Sequence, residues 1–98
     1  MKYPKTLIIC GKKRNVKYDP KAEGGSCRLD TGNIEVGSAI KGDVLETLLH
    51  EIGEFILHTH GHRYSRYVDG NDGLRFVMDH QGYENFIKEL SCVVEQFK

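Results

Sequence analysis

Histidine and carboxylate side chains are the groups that hold zinc and move protons. This chain sets His50, Glu51 and Glu54 in one short stretch, Leu48-Leu49-His50-Glu51-Ile52-Gly53-Glu54. The stretch has helical periodicity: Leu45, Leu48, Leu49, Ile52, Phe55 and Ile56 recur at three- and four-residue spacing as an apolar stripe. On such a helix His50 and Glu54 project from one face a turn apart, so both can grip one ion without any loop having to order. Glu51 stands about 100° round from His50, where it can reach a water on that ion. This is the mechanical logic of the H-E-x-x-H helix, in which the glutamate deprotonates a zinc-bound water. Here glutamate takes the second ligand position. Its charge makes a bound water less acidic than three neutral histidines would.

A catalytic zinc takes three protein ligands and keeps one position open, so a third ligand must come from outside the stretch. His58, His60 and His62 follow the helix, and His80 opens a second helical segment. His58 shares the face of His50 and Glu54 but lies about 12 Å from His50 by helix rise, and three groups in a row on one straight helix do not converge. His80 begins a separate helix whose packing can carry it over the first, and it is the favoured third ligand. The simpler reading of His58, His60 and His62 is a solvated helix end, favourable to the dipole there.

The elements that must position these groups are readable in outline. Residues 6–10 read as a strand, Gly11 to Arg14 as a basic turn, and Asn15 to Tyr18 as the short partner strand. Residues 19–25 are a loop by composition. Residues 26–30 and 33–37 read as a hairpin about Thr31-Gly32, with Ile34 and Val36 alternating with Glu35. Asp43 is the expected N-cap of the first helix, with Glu46 completing a capping box, and the helix should run from Val44 to about His58, with Gly61 as its stop. Arg63 to Val68 and Leu74 to Met78 can pair across the turn Asp69-Gly70-Asn71-Asp72-Gly73. Asp79 is a second N-cap, and Phe86, Leu90, Val93, Val94 and Phe97 form the stripe of a second helix.

The chain has 98 residues, the size of one domain. Its 14 Lys and Arg balance its 14 Asp and Glu, so no basic excess points to nucleic acid. No apolar run is long enough to span a bilayer, and Leu7 to Cys10 is too short for a signal-peptide core. Cys10, Cys27 and Cys92 are an odd set without a C-x-x-C pair, which fits a reducing cytoplasm and buried thiols better than a disulfide framework.

From Gly32 onward the chain resembles the small zincin-type metallopeptidase-like proteins of phages and prophages. The pieces that carry the resemblance are Gly32-Asn33-Ile34-Glu35-Val36, then Glu46-Thr47-Leu48-Leu49-His50-Glu51-Ile52-Gly53-Glu54, then Met78-Asp79-His80-Gln81 with Phe86 and Leu90. In that family the helix motif occurs with glutamate as well as histidine at the position of Glu54. The segment between Gly61 and Gly73 makes the Glu54-to-His80 spacing longer than in its shortest members. The resemblance implies His50, Glu54 and His80 as metal ligands and Glu51 as general base. The expectation is an α+β fold: one domain over residues 1–98, with a small, mostly antiparallel sheet packed on two helices. The strand Asn33 to Gly37 should lie beside the site as a free edge that a peptide can extend. The expected function is a zinc-dependent peptidase-like hydrolase acting on a peptide or protein. The alternative is a catalytically silent zincin-like binding or regulatory module.

Overall fold

A two-residue turn starts the sheet. Thr6–Ile9 (β1) reverses through Cys10 and Gly11 (φ 52° and 79°) into Lys12–Asp19 (β2), with Ile9 opposite Lys12. Both turn residues are left-handed, the geometry that matches the twist of a tight hairpin. Lys12 to Arg14, expected in a turn, are therefore ladder residues, and β2 is longer than expected. This is a computed structural model, and it describes residues 3–60, 64–66, 74–76 and 79–97.

Gly25–Cys27 (β3) and Ile34–Gly37 (β4) pair antiparallel, as the hairpin reading requires. The strand order is β1-β2-β4-β3, and β4 also runs parallel to β2, with Val16 opposite Ile34 and Tyr18 opposite Val36. The expectation of a free edge at Asn33 to Gly37 is thus corrected: β4 is interior and β3 is the edge. The pattern explains why. Ile34 and Val36 face the core and are fully buried, and the backbone of the same strand is laddered on both sides, to β2 and to β3. The sheet is mixed, with two antiparallel pairings and one parallel, and the fold is α+β.

Val44–Thr59 (α1) packs its stripe on this sheet. Leu48, Ile52 and Ile56 have no exposure, and they meet Leu7, Ile9, Val16, Ile34 and Val36 in the core. Each such side chain contributes about 1.5–3 kcal/mol by leaving water. The helix starts where expected, but Asp43 makes no side-chain cap; a single 3-10 turn, Lys41–Asp43, leads into it instead. His80–Val94 (α2) does carry its expected cap: Asp79 Oδ1 accepts from the Gly82 N–H at 2.7 Å. Val93 enters the core, and Phe86 lies where a Cβ on Gly53 would stand 3.7 Å from its Cζ, so α2 crosses α1 there. Tyr64–Arg66 (β5) and Leu74–Phe76 (β6) form a separate antiparallel hairpin, as expected, with Ser65 opposite Arg75. Gly61, His62 and the turn residues 69–73 lie outside the described residues. No helix among the described residues is long and apolar enough to cross a membrane.

The two ends of the main sheet are treated differently. Along β1, the Gln96 side-chain amide donates to Ile8 O at 2.8 Å and accepts from Ile8 N–H at 2.7 Å, and Glu89 accepts from Cys10 N–H. That edge is closed by side chains. Along β3, the bonds Gly37 N–H to Gly24 O and Arg28 N–H to Asn33 O set the pairing parity. That parity turns Ser26 toward β4 and leaves the backbone groups of Gly25 and Cys27 on the outer edge.

Candidate metal centre

His50, Glu51 and Glu54 are brought together by α1: one ligand atom from each lies within 4.8 Å of the others. His50 Nε2 is 3.4 Å from Glu54 Oε1. That is long for a charged hydrogen bond, but it is close to the edge of a zinc tetrahedron, about 3.4 Å for ligands at about 2.1 Å. The imidazole is mostly exposed and the Glu54 carboxylate half-buried. An imidazole nitrogen and a carboxylate oxygen are suitable zinc donors, so these two residues fit the ion.

Glu51 is different in kind. It is only 6% exposed, and among the described residues no side-chain hydrogen bond reaches its carboxylate. Burial, and then the Glu54 charge, push its carboxyl above the ordinary glutamate value, while His50 partly offsets them. A buried carboxyl with raised proton affinity is the condition a general base near neutral pH needs.

The edge strand sets the depth of this site. A Cβ on Gly25 would stand 2.7 Å from Thr47 Cγ2, 3.0 Å from Glu35 O and 3.2 Å from Glu51 Cγ. Glycine at this position lets α1 approach β3 closely enough to bury Glu51. Behind it, Arg14 holds the β3–β4 turn down. Its guanidinium donates to Ile9 O and Thr31 O and lies 4.7 Å over the Phe55 ring. Gly32, at φ 75°, passes so close that a Cβ would meet Arg14 Cδ at 2.7 Å and Phe55 Cζ at 2.8 Å. Cys27, the next inward-facing residue of β3 after Gly25, has its thiol pushed up to about 11, first by burial and then by the charges of Glu51 and Glu54.

A cleft of about 560 Å³ opens in front of the cluster, lined by His50, Glu51 and Thr47 on the helix side and by Glu23, Gly24 and Gly25 on the strand side. Neither the role of Gly25 nor the acidic rim follows from motif spacing. The Gly24-Gly25 pair just ahead of a strand was the available signal for a close backbone approach.

His80 is not brought into the cluster. Its Nε2 lies 2.8 Å from Glu84 Oε1, one turn along α2, and both side chains are largely exposed. It lines a separate depression with Tyr83 and Ile87. His60 faces α2 near Gly82 and Asn85, away from the cluster, and His58 is half-buried on the last turn of α1. All three cysteines are free thiols; Cys10 and Cys27 are half-buried, but Cys92, expected inside, is exposed. No family profile, curated protein or solved structure matches the chain.

Proposed function

We propose that the chain is a zinc-dependent, peptidase-like hydrolase. The observation that carries this reading is the convergence of His50, Glu51 and Glu54 on one face of α1, with His50 and the largely buried Glu51 lining one cleft. His50 Nε2 and a Glu54 oxygen would hold the ion. When bound, the ion would acidify a water and polarise a carbonyl. Glu51 would take the proton from that water at its carboxylate and return it to the departing amine. The outer edge of β3, unpaired among the described residues, would hold the peptide main chain by strand addition, and the close contact at Gly25 would keep that edge against Glu51. His80 would complete a three-ligand set only by exchanging Glu84 for the ion and joining a cleft other than the one it now lines.

The test is zinc content by mass spectrometry on untagged protein, together with cleavage of a quenched peptide library. About one zinc per chain, with cleavage lost by at least about 100-fold in Glu51→Gln while the zinc stays, supports the reading. A wild-type protein that takes up no zinc overturns it. A second reading draws on the same geometry. Among the described residues two ligands meet beside Glu51, where a catalytic zinc takes three, and this favours a zincin-like binding module without chemistry. That reading expects a chelator to leave stability unchanged.

A further inference from the structure

We infer that α2 is a strap over β1, and that lifting it exposes an edge that pairs with β1 of a second copy of this chain. The contacts of the strap are those a neighbouring strand makes. The Gln96 side-chain amide accepts from Ile8 N–H at 2.7 Å and donates to Ile8 O at 2.8 Å, so one amide stands in for the main chain of a paired strand. Glu89, earlier on α2, accepts from Cys10 N–H. Gln96 belongs to the 3-10 turn Glu95–Phe97 that follows α2, and its bonds to Ile8 lie at the surface.

The strand beneath the strap shows which state is being prevented. Thr6-Leu7-Ile8-Ile9-Cys10 is an uncharged run rich in β-branched and aliphatic residues, the composition that joins strand edges between chains. Ile9 stands opposite Lys12 across the two-residue turn, so Ile8 turns its N–H and C=O away from β2. Its side chain is 57% exposed, between buried Leu7 and Ile9. A two-fold antiparallel partner at this edge sets Ile8 against the Ile8 of the second copy. The two residues then exchange both main-chain bonds and pair their exposed side chains. Exposed Lys5, Lys12 and Lys13 bracket the run and oppose the same charges on a second copy, as in a guarded edge. The strap is also lightly seated: Val93 is the one buried residue of α2, whereas α1 buries seven. An element with so little buried surface opens at lower cost than the core.

The double variant Glu89→Ala, Gln96→Ala removes the three side-chain bonds to the β1 edge and leaves the α1 cluster untouched. Sedimentation velocity over a wide concentration range reads the association. The variant should dimerise at concentrations at least about tenfold below any at which the wild type does, and added salt should strengthen the dimer by screening the lysines. Exchange of the Ile8 and Cys10 amides in dilute variant should speed up about tenfold. Ile8→Lys added to the double variant puts a charge on the edge and should restore the monomer. Gln96→Glu keeps the side chain's length but loses the donor to Ile8 O; it should shift association in the same direction, and it serves where the double variant does not fold. A folded variant that stays monomeric while those two amides exchange faster overturns the inference, as does association that survives Ile8→Lys. Unchanged exchange at both amides overturns the strap itself.

Discussion

His50–Glu54 and His80–Glu84 are the same device by spacing: a histidine four residues ahead of a glutamate on an amphipathic helix. On α2 the pair closes on itself at 2.8 Å, with side-chain exposures of 84% and 58%. On α1 it stands open at 3.4 Å, with Glu54 half-buried and Glu51 beside it. The difference comes from what lies against each helix. β3 comes close to α1 at Gly25, beside Thr47 and Glu51, and a cleft opens in front; on α2 the neighbouring strand β1 is reached by Glu89, away from the His80–Glu84 pair. Spacing alone therefore does not separate the two pairs; the sheet edge beside α1 does.

Zinc affinity gives the largest contrast. His50→Ala should weaken zinc binding by about two orders of magnitude or more, measured by competition with a chromophoric chelator. His80→Ala should change it by no more than about threefold. Equal losses would break the comparison and make His80 a ligand recruited from α2.

Next comes the edge that distinguishes the two pairs. Gly25→Ala drives a methyl group against Thr47 and the Glu35 carbonyl and should cost about 2 kcal/mol in urea denaturation. Gly42→Ala, where nothing lies within 4 Å, should stay within about 0.5 kcal/mol of wild type. A neutral Gly25→Ala would mean that β3 does not press on α1.

Much of this was legible beforehand, and the failures have physical causes. Both helices, the Asp79 cap and the β5–β6 hairpin follow from period and turn chemistry, which are local. The position of β4 does not, because parallel pairing to β2 is decided by distant contacts and leaves no turn between the partners. Spacing along α1 identifies His50, Glu51 and Glu54, since a helix fixes their relation. It says nothing of Gly25 or of the acidic rim, which other elements bring across. Glu89 reads as surface charge from sequence, and only the fold shows it bonded to the β1 edge.

Glu51 should be a stability liability that His80 and Glu84 are not. Folding raises its proton affinity, so the stability it contributes is fully present below its ordinary value of 4.5 and is lost as pH rises through the higher folded value. Glu51→Gln should then stabilise the metal-free protein at pH 7 by about 1 kcal/mol and flatten its stability-against-pH curve above pH 4.5. Glu84→Gln on the exposed pair should shift stability by no more than about 0.5 kcal/mol. A destabilised Glu51→Gln would show that the carboxylate is held by a favourable partner after all.

The smallest effect is read at Cys27, which senses the α1 carboxylates from the strand side. Its thiol, near 11, carries almost no thiolate at pH 8.5, and the charges of Glu51 and Glu54 help to keep it protonated. Alkylation followed by peptide mass mapping should find exposed Cys92 modified long before Cys27. Glu51→Gln removes one of the two negative charges, lowers the thiol's proton affinity and should speed Cys27 alkylation about threefold, leaving Cys92 unchanged. Zinc held by His50 and Glu54 neutralises the same field and should act in the same direction. Protection of Cys27 by zinc would have the opposite meaning: the strand, and not α2, would supply the third ligand, and the edge at β3 would be part of the metal centre itself.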